Sequence, residues 1–238
     1  MKTSCILKLP VALGADIGNK QNRVGGLKTE CSTTLELNGH DLYVDAVDIK
    51  KKSKLTVTDS TELKTGGAGL LDSWASKVDF PAIHTTNAEL EVSGRAHVVA
   101  QGAAGGAGIG GGLKQPGGKV IISGVGARVE AVGGSGSAGI GGGYRGHGGT
   151  LIVSGADVTV ESLGTGHASG IGGGGYGNGG SVIVSGARAN VLAEATDAGA
   201  GIGGGNGGDG GSLTVNGGGA TVIARASLGA GVGGGSEA

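Results

Sequence analysis

Five polar and aromatic side chains fall into register at intervals of 31 residues, Arg145 and His147, then Tyr176 and Asn178, then Asp209, with Tyr144 close by. His147, Asn178 and Asp209 make one column, preceded by Pro116. Arg145 and Tyr176 make another, with Lys114 before them and Gly207 after. Aromatic faces beside planar hydrogen-bonding groups are what a sugar ring needs, because the rings cover its C–H face while amide, imidazole, guanidinium and carboxylate groups meet its hydroxyls. The competing expectation is a row of solvated turns that tolerates any polar residue. Catalytic chemistry is thinly supplied. Glu130 and Glu161 share a column, but it continues with Leu192 and Ile223, and Asp157 is followed by Arg188. Stacked glutamates can raise one carboxyl pKa, whereas a solvated surface pair does nothing. There is no G-x-S-x-G, no Cys/His pair arranged as nucleophile and base, and no zinc spacing. The expectation is therefore no catalytic residue, no metal and no cofactor.

Composition narrows the class. Glycine supplies 59 residues, proline 3, and the aromatics are Tyr43, Trp74, Phe80, Tyr144 and Tyr176. A collagen-like chain is excluded because the glycines keep no three-residue period. Disorder is excluded because Val, Ile and Leu recur at fixed spacing between the glycine clusters. The glycine runs lack the Lys-Ser/Thr and the helix of a phosphate-binding loop. The Gly-Gly-Asn-Gly-Gly-Asp stretch at residues 204–209 is similar to calcium-binding nonapeptide repeats, but only this repeat carries the Asp.

A net charge of −1 offers no footprint for nucleic acid. The run Lys50, Lys51, Lys52 and Lys54 reads as a solvated turn, since no aromatic interleaves with it. No apolar stretch approaches the roughly 20 residues of a membrane span. The stretch after Met1 is broken by Lys8 and Pro10, which does not read as a secretory leader. Cys5 and Cys31 leave two expectations open, a disulfide closing the N-terminal end or two thiols.

The glycines have an order. Gly-Ile-Gly-Gly-Gly stands at residues 108–112, 139–143, 170–174 and 201–205, and Gly-Val-Gly-Gly-Gly at 231–235, giving spacings of 31, 31, 31 and 30. Between them, residues 120–124, 151–155, 182–186 and 213–217 each read as an apolar strand ending in Ser-Gly or Asn-Gly. A further segment carries Ala127/Val129, Val158/Val160, Ala189/Val191 and Ala220/Val222. Apolar residues two apart mark strands with one buried face. A unit of three short strands cannot bury that face alone, but stacked coils can, so the pattern predicts an all-β solenoid of glycine-rich coils of about 31 residues. Residues 95–238 form its regular part. Residues 35–94 form degenerate coils, in which Leu35 is expected to align with Leu55 at a spacing of about 20. Residues 1–34 are expected to cap the open sheet edge. Trp74 and Phe80 are expected to cover the core from a longer loop. The ending at Ser236, Glu237 and Ala238 reads as truncated or as an end that stacks on another molecule.

Residues 34–40, Thr-Leu-Glu-Leu-Asn-Gly-His, residues 55–60, Leu-Thr-Val-Thr-Asp-Ser, and the Ala-Gly-Ile-Gly-Gly-Gly repeats resemble the pectate-lyase-like parallel β-helix regions of large bacterial surface proteins, mostly Gram-positive. Such regions are often labelled carbohydrate-binding or adhesin-like. The resemblance implies a right-handed parallel β-helix, display outside the cell or on its surface, and a longer parent protein.

If the residues at 120 and 122 point inward, alternation sends Ile121, Ile152 and Ile183 outward, with Glu91 and Thr214 at the two ends of their column. An outward isoleucine stripe reads as a contact with a partner or a second copy, or as a strip already covered by the chain. The two functional expectations are a non-enzymatic surface or secreted module contacting a glycan or a host or matrix component, and a structural spacer or self-assembling rod joined through the isoleucine stripe and the last coil.

Overall fold

The computed structural model describes residues 5–7, 11–61 and 67–236, and of residues 5–7 the backbone alone. It is an all-β solenoid with three strands per coil, entirely parallel, and no α-helix among the described residues. From Leu27 onward successive strands visit three sheets in turn, so that strands adjacent within a sheet come from successive coils. Sheet 1 has nine strands, sheet 2 eight and sheet 3 seven.

Sheet 1 is built from the glycine motif. Its regular strands, Ile109–Gly110, Ile140–Gly141, Ile171–Gly172 and Ile202–Gly203, are two residues long. Each isoleucine points into the core. Sheet 2 contains Lys119–Ile122, Thr150–Val153, Ser181–Val184 and Ser212–Val215, paired in the expected 31-residue register. Sheet 3 contains Arg128–Val132, Thr159–Gly164, Asn190–Ala195 and Thr221–Ala226. Inward ladders of Val120, Leu151 and Val182 and of Val129, Val160 and Val191 meet the isoleucines of sheet 1 in one continuous core. Each such side chain contributes about 1.5–3 kcal/mol by leaving water. Two serines enter this core with a partner in reach. Ser73 and Ser162 occupy the alanine column of sheet 3, and their hydroxyls donate to the carbonyls of Ala82 and Gly170 at 2.8 and 2.7 Å.

The five aromatic residues stay outside. A core made of Val, Ile, Leu and Ala ladders has no room for a ring, and Trp74 and Phe80 are 48% and 41% exposed. This corrects the expectation that they cover the core. Trp74 instead ends the strand Leu70–Trp74 on the outer face of sheet 3 beneath the Arg23 guanidinium, 5.5 Å from its ring.

The segment 1–34, expected as a cap, itself supplies strands: Cys5–Leu7 and Leu27–Thr29 to sheet 1, and Val11–Ala12 to sheet 2. The register of the next coils also differs from expectation. Leu35 pairs with Val57 rather than Leu55, a spacing of 22. A two-residue slip leaves every side chain on the same face, so the hydrophobic pattern could not distinguish the two registers. Cys31 is exposed, and the Cys5 side chain and residues 237–238 lie outside the described residues, as do the disulfide and chain-end expectations that rest on them. No helix of the described chain is long and apolar enough to cross a membrane.

Candidate functional site

Sheet 1 is so short that the turns before and after it lie side by side. The turn after it carries the 31-residue columns. Backbone bonds tie this turn to the next coil at every step: Lys114 donates to the Tyr144 carbonyl, Arg145 to Gly175 and Tyr176 to Asn206, at 2.8–2.9 Å. The ladder forces one backbone conformation on all four coils. Lys114, Arg145, Tyr176 and Gly207 have φ of 58, 61, 64 and 66°. That left-handed region suits glycine and costs an ordinary side chain about 1–2 kcal/mol. Gly207 shows the relaxed choice. Lys114, Arg145 and Tyr176 keep a long side chain against that preference, and each projects into solvent.

There the rings and the cation meet. Tyr144 and Tyr176 approach edge to face with centroids 6.0 Å apart. The Arg145 guanidinium lies 5.4 Å from the Tyr144 ring centroid and 5.8 Å from that of Tyr176. Tyr144 has space because its neighbours lack side chains: a Cβ on Gly136 would fall 2.7 Å from its ring. Two residues further along the same turns, the second column forms a hydrogen-bonded ladder. The Asn178 backbone N–H donates to His147 Nδ1 at 3.0 Å. The Asn178 amide donates to Asp209 Oδ2 at 3.2 Å, and its Oδ1 accepts from the Asp209 N–H at 3.2 Å. All three side chains reach solvent. The His147 bond fixes its tautomer, because an Nδ1 that accepts leaves Nε2 to carry the proton and face outward.

Ile121, Ile152 and Ile183 pair in one outward column of sheet 2 between Glu91 and Thr214, half-buried by their own neighbours. Glu130 and Glu161 are paired across coils, but neither is left to itself: Arg128 donates to Glu130 at 2.7 Å and to Glu161 at 3.1 Å, and His97 Nε2 lies 3.0 Å from Glu130. Burial pushes the Glu130 carboxyl up, but the bonds from Arg128 and His97 outweigh it and hold it below the usual carboxylate range. Stacking of the glutamates therefore does not raise it, contrary to the option considered from the sequence. Asp157 and Arg188 form a bidentate pair at 2.7 and 2.6 Å on the surface, as their shared column implies.

Sequence reasoning missed Arg23, whose position in an irregular coil carries no periodic signal. Its Nη1 donates to the Asp72 carbonyl at 2.8 Å and its Nη2 pairs with Asp72 Oδ1 at 3.0 Å. Its guanidinium also covers Tyr43 at 5.8 Å. No family profile, no curated protein and no solved structure matches this chain.

Proposed function

We propose that the chain is a non-enzymatic module that holds an extended glycan along the turn next to sheet 1, with Tyr144, Arg145 and Tyr176 as its stacking platform and His147, Asn178 and Asp209 as its hydrogen-bonding edge. The observation that carries this reading is the retention of Arg145 and Tyr176 at left-handed positions where glycine folds more easily. Backbone strain of this kind clusters at binding sites; the column of Asp157 and Arg188 shares it, and what sets Arg145 and Tyr176 apart is the cluster of two rings and a cation they build with Tyr144. The ladder spaces its groups at the coil repeat of about 4.8 Å, so a linear polymer lying parallel to the axis meets His147, Asn178 and Asp209 one after another on successive coils. The resemblance of the repeats to surface-displayed β-helices supports a setting outside the cell or on its surface, in contact with a host or matrix glycan.

Tyr144→Ala combined with Tyr176→Ala removes both rings. On an array of glycans and polysaccharides, the unaltered chain is expected to bind and the double variant to weaken by a factor of about 30, corresponding to about 2 kcal/mol of stacking. Binding unchanged in the double variant overturns the site.

A second reading, a rod associating side by side, draws on the register of Ile121, Ile152 and Ile183 on one outward face. Ile152→Lys places a charge in the centre of that stripe. The glycan reading expects the same molar mass by light scattering for this variant and the original chain, and the same glycan affinity. A fall from dimer or filament to monomer would favour the rod.

A further inference from the structure

One coil towards the N-terminus from Tyr144, the position equivalent to it is Leu113, and beside Leu113 lies a pocket of about 230 Å3 lined by Asp79, Phe80, Pro81, His84, Leu113 and Gln115. Two elements form it. The loop before the strand Ile83–His84 brings Asp79, Phe80 and Pro81, and the turn after Ile109–Gly110 brings Leu113 and Gln115. A hydrogen bond from the Leu113 N–H to the Asp79 carbonyl, at 3.2 Å, joins the two. Asp79 itself stands in the left-handed region, at φ 68°.

The lining divides into an apolar wall and a polar rim. Phe80 and Leu113 are 41% and 37% exposed, so their apolar surface is open to a ligand, and Lys77 Nζ sits 4.3 Å from the Phe80 ring centroid. On the polar side, Gln115 is held from two directions. Its Oε1 accepts from the Gly112 N–H at 3.2 Å and lies 2.9 Å from His84 Nε2, while His84 Nδ1 lies 3.0 Å from Asp48 Oδ1. With its oxygen held by the Gly112 N–H, the Gln115 side chain offers its NH2 group as a donor, and Asp79 supplies a carboxylate acceptor. A pocket with an apolar wall and a few fixed polar groups is the usual form of a small-ligand site. Its volume is below the roughly 300–1,000 Å3 of sites for larger ligands, which suits one ring rather than two.

We propose that this pocket holds a single pyranose unit, its C–H face on Phe80 and Leu113 and its hydroxyls on Asp79 and the Gln115 amide. It would form an end subsite of the glycan path that continues over Tyr144 and Tyr176. The inference rests on the glycan reading above and adds a location, a direction along the axis and the size of the terminal unit.

The test uses linear hexasaccharides of glucose, xylose, mannose and N-acetylglucosamine, titrated calorimetrically into the full chain, Phe80→Ala, Gln115→Glu and the tyrosine double variant. Gln115→Glu keeps the oxygen that Gly112 and His84 contact and replaces the NH2 donor with an acceptor. It therefore separates loss of recognition from loss of structure, which matching melting curves would check. The expected result is that a hexasaccharide bound by the original chain is bound about tenfold more weakly by each of Phe80→Ala and Gln115→Glu. Affinity within twofold of the original in both variants, with loss in the tyrosine variant, overturns the pocket and leaves the glycan reading standing. No hexasaccharide bound by the original chain overturns both.

Discussion

Gly172→Ala is expected to destroy cooperative folding of the regular coils, while Gly218→Ala leaves it intact. Gly172 has φ of +136°, in a region that is essentially reserved for glycine, and a Cβ there would stand 2.0 Å from the carbonyl oxygen of Gly203 in the next coil. The clash is with backbone that is itself hydrogen-bonded: the Gly173 N–H donates to the Gly203 carbonyl at 2.9 Å. Nothing can swing aside, because the same conformation repeats at Gly110, Gly141, Gly203 and Gly233. The expected loss exceeds about 4 kcal/mol, the range reached when backbone strain and core disruption combine. Stability in a solenoid is a sum over coils and their interfaces, so a lesion in the middle of the stack separates the coils on either side. Gly218 is the control, since a Cβ there meets nothing within 4 Å. Urea unfolding followed by far-ultraviolet circular dichroism should show a broken or absent transition for Gly172→Ala and a midpoint near the original for Gly218→Ala. Equal midpoints would mean that the coils are not packed in this way.

Asp59→Ala is expected to be the most damaging single change in the irregular coils. The carboxylate is 1% exposed and satisfies four donors: the backbone N–H groups of Gly39 and Thr61 at 3.2 and 3.0 Å, the Thr61 hydroxyl at 2.7 Å, and the Gly69 N–H. These donors belong to separate turns, which this one buried side chain ties together; Glu36 Oε1 also bridges two of them, from the surface, by accepting from the Asn38 and Ser60 N–H groups at 3.1 and 2.9 Å. Removing it strands buried donors and should cost about 3–5 kcal/mol, with Asp59→Asn losing less because one acceptor survives. Burial pushes this carboxyl up, but the bonds from Gly69, Thr61 and Gly39 outweigh it, and it titrates below the ordinary carboxylate range. The sign of the pH dependence follows. A group whose folded value is depressed stabilises the fold fully above its unfolded value of about 3.9, and that contribution disappears as pH falls through the folded value. Urea midpoints at pH 7 and at pH 3 should therefore differ less for Asp59→Asn than for the original chain. A difference of the same size in both would remove Asp59 from the acid response.

Most of the architecture was legible because each coil repeats the same steric requirements. The 31-residue interval of Ile109, Ile140, Ile171 and Ile202 is the register of sheet 1, and the two-residue alternation around Ile152 is the orientation of sheet 2. Legibility failed where repetition failed. Leu35 and Leu55 were aligned by pattern alone, and a period of two gives no means of rejecting a slip of two residues. Trp74 and Phe80 were expected to cover the core from a longer loop, but Trp74 ends a strand on the outer face of sheet 3, where the non-repeating sequence gives no sign of a strand. Within the candidate site, the columns of His147, Asn178 and Asp209 and of Arg145 and Tyr176 could be read from spacing. Their left-handed backbone could not, because Lys, Arg and Tyr do not advertise positive φ as glycine does; only the alignment with Gly207 hints at it. The Phe80 pocket was hidden for another reason. It joins a loop that belongs to no repeat, residues 75–82, to one that does.

The central claim is that the tyrosine turn exists to hold a sugar polymer, and affinity electrophoresis through gels containing soluble polysaccharides tests it most directly. The original chain is predicted to be retarded by at least one polysaccharide, and the variant carrying Tyr144→Ala and Tyr176→Ala to migrate as in a gel without polymer while melting at an unchanged temperature. Equal retardation of the two proteins, or free migration of the original chain through every polysaccharide tried, would contradict the account.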